Sequence, residues 1–113
     1  MEFNIKSGSP EKQRVACVVV GVYETRKLSF AADLLDRISN GFIADVLKRG
    51  DMDGKLGSSL ILHSVPHTLC DRVMLVGLGK ERDFRAKEYR EAIRASVKAL
   101  ASTQANEVVS YLT

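Results

Sequence analysis

Over Glu2 to Lys6 the chain alternates, with Phe3 and Ile5 on one side and Glu2, Asn4 and Lys6 on the other, which predicts a strand with one polar face. GSPEK then reads as a turn. Val15 to Tyr23, VACVVVGVY, is a continuous β-branched run, the pattern of a strand buried on both faces as in a mostly parallel sheet. In LSFAADLLDRIS the period changes to helical, with Ala31, Leu34, Leu35 and Ile38 on one stripe and Ser29 placed to cap the N-terminus. A short second helix is expected from near Asn40, with Ile43, Val46 and Leu47 on its apolar side. Lys48 and Arg49 suit its C-terminal dipole, and Gly50 suits the position just past its end. Ser58 to Val65 and Asp71 to Leu78 read as two further strands. Only PHTLC separates them, too short for a helical crossover, so an antiparallel pair is expected. The longest helix spans Arg85 to Ala101, with Tyr89, Ile93, Ser96, Val97 and Leu100 as its core stripe. NEVVSYLT closes the chain as a strand running to Thr113.

The order β-β-α-α-β-β-α-β, with helices alternating with apolar strands, predicts a layered α/β sheet. A length of 113 residues fits one domain, 1–113, without repeats or low-complexity segments. Hydrophobic residues are 45% and charged residues 27%, a balance that argues against disorder. No apolar run approaches the roughly 18 to 20 residues of a membrane span. MEFNIKSGSP lacks the charged and apolar regions of a signal peptide, so a cytoplasmic protein without membrane contact is expected. Cys17 and Cys70 lie far apart beside apolar runs, the usage of free buried thiols in a reducing compartment. The β-rich ending at Thr113, with no tail or cap, leads us to expect a piece of a longer protein.

Candidate chemistry centres on VGLGKER, where a strand runs into a glycine turn. A dinucleotide fingerprint needs a third glycine, and position 82 is Arg. A phosphate-binding P-loop needs a glycine five residues before Gly79 and Ser or Thr after Lys80, where Glu81 stands. Both motifs fail, and the turn reads as one in which glycine avoids a positive-φ penalty. His63 and His67 have a spacing that would chelate zinc on a helix, but Pro66 and the preceding strand pattern separate them. Asp51 and Asp53 in GDMDG begin a calcium-loop pattern that is not completed, and they read as a solvated turn. We therefore expect no catalytic and no metal-ligating residue in this chain, and no cofactor. The net charge of +3 permits a nucleic-acid partner without demanding one. Lys87, Arg90, Arg94 and Lys98 form a basic ridge on the long helix, preceded by Lys80, Arg82 and Arg85. Such a ridge can engage phosphates, although Glu88 and Glu91 offset it and no aromatic is interleaved for base stacking.

RVMLVGLGKERDF followed by KEYREAIRASVKAL resembles the N-terminal domain of the cytosol (leucyl) aminopeptidase family, as do the opening MEFNIKSGSPEKQR and the turn RGDMDGK. The resemblance covers the whole chain. It implies a macro-domain-like three-layer α/β/α sandwich with a mixed, mostly parallel sheet. It also implies a parent enzyme whose C-terminal domain holds two divalent metal ions, zinc or manganese, and removes N-terminal amino acids from peptides through a metal-bridged water. The family's metal-binding signature NTDAEGRL is absent here, so no catalytic role transfers to any position. The implied roles of this domain are hexamer assembly with its own C-terminal catalytic domain and access to the active site. Some bacterial members bind DNA, which makes Lys87, Arg90, Arg94 and Lys98 candidate DNA contacts. A macro-like fold keeps open a pocket of the ADP-ribose type, for which no residue in this chain argues.

Overall fold

β-Branched residues pack well on a pleated, buried surface, and CVVVGVY forms the centre of the molecule. In the computed structural model, which describes residues 2–5, 17–24, 27–50, 52–101 and 107–111, this run is strand β2 (Cys17–Tyr23). It follows β1 (Glu2–Ile5); positions 15 and 16 of the expected strand lie outside the described residues. The chain continues through α1 (Phe30–Ile38), α2 (Phe42–Lys48), β3 (Ser59–His63), β4 (Arg72–Gly79), α3 (Ala86–Leu100) and β5 (Glu107–Tyr111). The five strands form one sheet in the order β1-β5-β2-β4-β3. β1 pairs with β5, β5 with β2 and β2 with β4, all parallel. β3 runs antiparallel to β4, from Ser59 opposite Val76 to His63 opposite Arg72. The fold is thus an α/β/α sandwich on a mixed, mostly parallel sheet.

The two-residue strand period sorts the core into two layers. Val18, Val20, Val22, Val73, Leu75 and Leu62 face α1 and α2, meeting Ala32, Leu35, Ile43, Val46 and Leu47. Cys17, Val19, Met74, Val76, Leu78 and Val108 face α3, meeting Ala92 and Leu100. Gly21 leaves room on that second face, because a Cβ there would lie 2.3 Å from the Leu78 side chain. The α3 stripe differs from expectation at one position. Val97 is 37% exposed, and Ala92 is fully buried instead. A 3.6-residue period carries position 97 past the edge of the stripe running from Tyr89 through Ser96 to Leu100.

Helix ends follow local chemistry. Ser29 Oγ accepts from the Ala32 N–H at 3.3 Å and caps α1. α1 stops in a Schellman turn, in which Gly41 N–H donates to Asp36 O at 2.7 Å and Asn40 N–H to Arg37 O at 3.2 Å. Asn40 therefore ends α1, and α2 starts at Phe42, slightly later than the sequence indicated. Gly41 has no side chain to cap α2, and Asp36 Oδ1 does so from the preceding helix by accepting from Ala44 N–H at 2.8 Å. Gly50, at φ 79°, closes α2 with its N–H on Leu47 O.

Candidate functional site

The two glycines at the end of β4 have their amides bonded within the protein rather than open to a phosphate. Gly77 N–H donates to Ser58 O at 2.8 Å, and Gly79 N–H donates to Gly54 O at 3.0 Å. The segment 54–58 lies directly across the end of β4, with Gly57 N–H returning a bond to Gly77 O at 3.2 Å. Gly79 is left-handed at φ 76°, as expected of a turn glycine. Gly77 has a different reason to be glycine: a Cβ there would meet the Lys55 carbonyl oxygen at 1.8 Å. A 3₁₀ turn, Glu81–Asp83, then separates the glycines from the start of α3. The N-terminus of α3 is itself occupied, since Glu88 Oε1 accepts from Arg85 N–H at 3.0 Å.

Beside this turn, at the carboxyl ends of β2 and β4, a crevice of about 330 Å³ is lined by Tyr23, Glu24, Lys27, Lys80, Glu81 and Arg82. A second hollow shares Glu24 and Lys80 and extends to Asp83 and Glu88. Parallel pairing creates the crevice by setting Tyr23 beside Gly79, so that the loops leaving both strands face each other. Tyr23 N–H bonds Lys27 O at 2.7 Å, folding the first loop back on itself. Lys27 Nζ then reaches across to Glu81 Oε1 at 2.5 Å. Tyr23 packs edge-on against Phe84, 5.9 Å between centroids, and Phe84 edge-on against Tyr89 at 6.4 Å. Burial, with the Glu81 carboxylate adding to it, pushes the Tyr23 phenol up, and Lys27 works the other way. The phenol therefore stays protonated at neutral pH.

Lys87, Arg90, Arg94 and Lys98 are all exposed along α3, and no ion pair engages them among the described residues. Of the two acids that the sequence sets against the ridge, Glu88 and Glu91, Glu88 is bonded to the Arg85 amide. His63 ends β3, and His67 sits in the following turn at φ 64°. Asp53 Oδ1 accepts from Lys55 N–H at 3.1 Å, while Asp51 lies outside the described residues. Among the described residues no three of His, Cys, Asp and Glu come together in a way that would hold a metal ion. Cys17 and Cys70 are buried and unbridged. No described helix is long and apolar enough to cross a membrane. Sequence reasoning found Lys80 and Arg82 but missed Tyr23, Glu24 and Lys27 as their neighbours. Lys27 and Glu81 are 54 positions apart, and no local motif links them.

The architecture and the sequence have clear relatives. The family described as the cytosol aminopeptidase family, N-terminal domain, matches residues 19–113. A probable cytosol aminopeptidase of Chromobacterium violaceum is 86% identical over 99% of this chain and 22% of its own length. One from Dechloromonas aromatica is 64% identical over 100% of this chain and 23% of its own. The chain thus spans under a quarter of the length of these curated relatives. A leucine aminopeptidase mutant from tomato has the same fold, with a TM-score of 0.73 and 23% identity over 99% of this chain and 23% of that one. So does the macrodomain of Mycobacterium tuberculosis DarG, with a TM-score of 0.71 and 10% identity over 96% of this chain and 74% of that one. Its sequence, matched nearly end to end at high identity, shows that this chain belongs to the cytosol aminopeptidase family as an N-terminal domain of that family.

Proposed function

We propose that this chain is the non-catalytic accessory domain of a metal-dependent aminopeptidase, a hydrolase that releases N-terminal amino acids from peptides. The observation that carries the reading is its 86% identity, over 99% of its length, to 22% of a probable cytosol aminopeptidase, together with the match to that family's N-terminal domain. The reaction belongs to the remaining length of such a protein, with two divalent ions, zinc or manganese, supplying the activated water. Among the described residues no three of His, Cys, Asp and Glu come together to hold such ions. The domain's own part is to dock on the catalytic domain, to help build a homo-hexamer and to shape access to the active site, in the cytoplasm. The test is hydrolysis of leucine p-nitroanilide in the presence of Mn²⁺ or Zn²⁺. A protein of the relatives' full length is expected to turn it over, and residues 1–113 alone are not. Turnover by the isolated chain would overturn the division of labour.

A second reading, binding to DNA, is favoured by the exposed ridge on α3, which no ion pair engages among the described residues. Lys87 and Lys98 are eleven residues apart, about 16 Å along a helix at its usual rise, a span suited to backbone phosphates of one strand. Four such contacts give a slope of log affinity against log salt near −3.6, or about a hundredfold loss between about 50 and 200 mM. Changing Lys87, Arg90, Arg94 and Lys98 together to Ala is expected to flatten that slope. An unchanged slope removes the ridge from the reading.

A further inference from the structure

We propose that the free edge of β3 pairs with the same edge of a second copy of this chain, antiparallel and about a two-fold axis through Ile61, so that two sheets join into one. The pairing uses only this domain's backbone and does not depend on the aminopeptidase reading.

The edge is open and unprotected. β3 ends the sheet, and among the described residues no strand pairs with its outer side. Native proteins blunt such an edge with charge, proline or a bulge. Ser59–His63, SLILH, holds no Lys, Arg, Asp, Glu or Pro, and its register with β4 runs without a bulge. Ser59 and His63 are exposed, and Leu60 and Ile61 are partly so. With His63 neutral, this edge meets its own copy with no like charges opposed.

Backbone parity fixes the register. In an antiparallel ladder, alternate residues turn both N–H and C=O to the same neighbour. Gly77 N–H donates to Ser58 O at 2.8 Å, and Ser64 N–H to Asp71 O at 3.4 Å. The register is continuous between these bonds, so Ser58, Leu60, Leu62 and Ser64 face β4. Ser59, Ile61 and His63 therefore turn their amides and carbonyls outward. A two-fold axis at Ile61 sets Ile61 opposite itself and Ser59 of one copy opposite His63 of the other. Every outward N–H then meets an outward C=O. An axis at Leu60 or Leu62 would leave one of the three outward residues without a strand partner. Side chains agree with this register. Leu60 packs on the α1–α2 layer with Leu62, and Ile61 packs on the α3 layer. In the joined sheet Leu60 of one copy lies beside Leu62 of the other, and the two Ile61 side chains meet at the axis, so both apolar layers continue across it. Strand pairing alone buries less than the roughly 1,200 Å² of a standard interface, so the dimer is weak, with a Kd on the order of 0.1 mM.

The test is sedimentation equilibrium of the protein between about 10 µM and about 1 mM, with cysteine cross-linking to read the register. A monomer–dimer equilibrium is expected. Ile61→Cys brings two thiols together at the axis, where paired Cα atoms lie about 5.5 Å apart, within disulfide range. Ser59→Cys and His63→Cys each place their two thiols about 13 Å apart along the strands, out of that range. Oxidation should therefore link the Ile61→Cys dimer at least about tenfold faster than the other two; the native thiols are buried and add little background. Ile61→Lys opposes two cations at the axis and should weaken the dimer at least about tenfold. Ser59→Pro removes an outward N–H and no bond to β4, and should weaken it without touching the core. The proposal is overturned by a monomer at about 1 mM, by association beyond a dimer, by equal cross-linking at positions 59, 61 and 63, or by a Kd unchanged in both Ile61→Lys and Ser59→Pro. A monomer would leave the edge to an extended segment of another protein.

Discussion

A carbon added at position 77 would lie 1.8 Å from the Lys55 carbonyl oxygen and 2.3 Å from Ser58 Oγ. Backbone cannot swing aside as a side chain can, so the segment across β4 would have to lift. Gly77→Ala is expected to destabilise the protein by about 1 to 3 kcal/mol in urea denaturation. At Gly57 nothing crowds a new Cβ, but φ is 88°, so alanine there meets only the left-handed penalty of about 1 to 2 kcal/mol. Equal midpoints for Gly77→Ala and the parent would mean that the 54–58 segment is not seated on the strand. Cys17 makes a different kind of statement. Burial, with the Cys70 thiol adding to it, pushes the Cys17 thiol from 9.0 up to about 11. Above pH 9 the unfolded chain gives up this proton while the folded chain keeps it. Stability is therefore unaffected below that pH and falls as pH climbs towards 11, by up to about 2 to 3 kcal/mol. Thermal melts between about pH 8 and 11 should show this decline, and Cys17→Ala should flatten it relative to the parent; parallel curves would refute the assignment.

Among elements, the two caps on one face of the sheet can be compared directly. Ser29→Ala removes the acceptor for Ala32 N–H and should cost about 1 kcal/mol. Asp36→Ala should cost about as much, but the loss belongs to α2, whose Ala44 N–H it leaves unsatisfied. Hydrogen exchange is expected to speed up in α2 before α1 in this variant, and faster exchange confined to α1 would contradict the cross-helix cap. These two residues also mark how far the sequence could be read. Ser29 and Gly50 were legible because a cap and a closing glycine act within one turn of their own helix. Asp36 was not, because its partner is eight positions on and depends on the Schellman turn at Asn40 and Gly41. The antiparallel β3–β4 pair was legible from the short link alone. Gly79 has the positive φ that the sequence indicated, but Gly77 does not, and the packing that requires it comes from a segment about twenty residues upstream. The crevice was illegible for the same reason on a larger scale: the pairing of β2 with β4 brings Lys27 to Glu81.

At the scale of the whole molecule, two surfaces are separate in their chemistry. The ridge on α3 is cationic, and the crevice carries both signs. The quadruple substitution on α3 is therefore expected to leave the backbone amide resonances of Tyr23 and Glu81 in place. The sheet order has one more consequence, which concerns time. β5 is inserted between β1 and β2, and β1 has no partner but β5 among the described residues. A strand in the interior of the sheet is thus the latest of the five described strands in chain order. Until residues 107–111 emerge, β1 has nothing to pair with and β2 presents an open edge. A nascent chain must therefore carry its apolar β2 with one side unclosed until β5 has been made. A chain ending before Glu107 is expected to show no cooperative melt, whereas one ending after Tyr111 should. Among the described strands, the earliest in the chain is held in the sheet only by the latest.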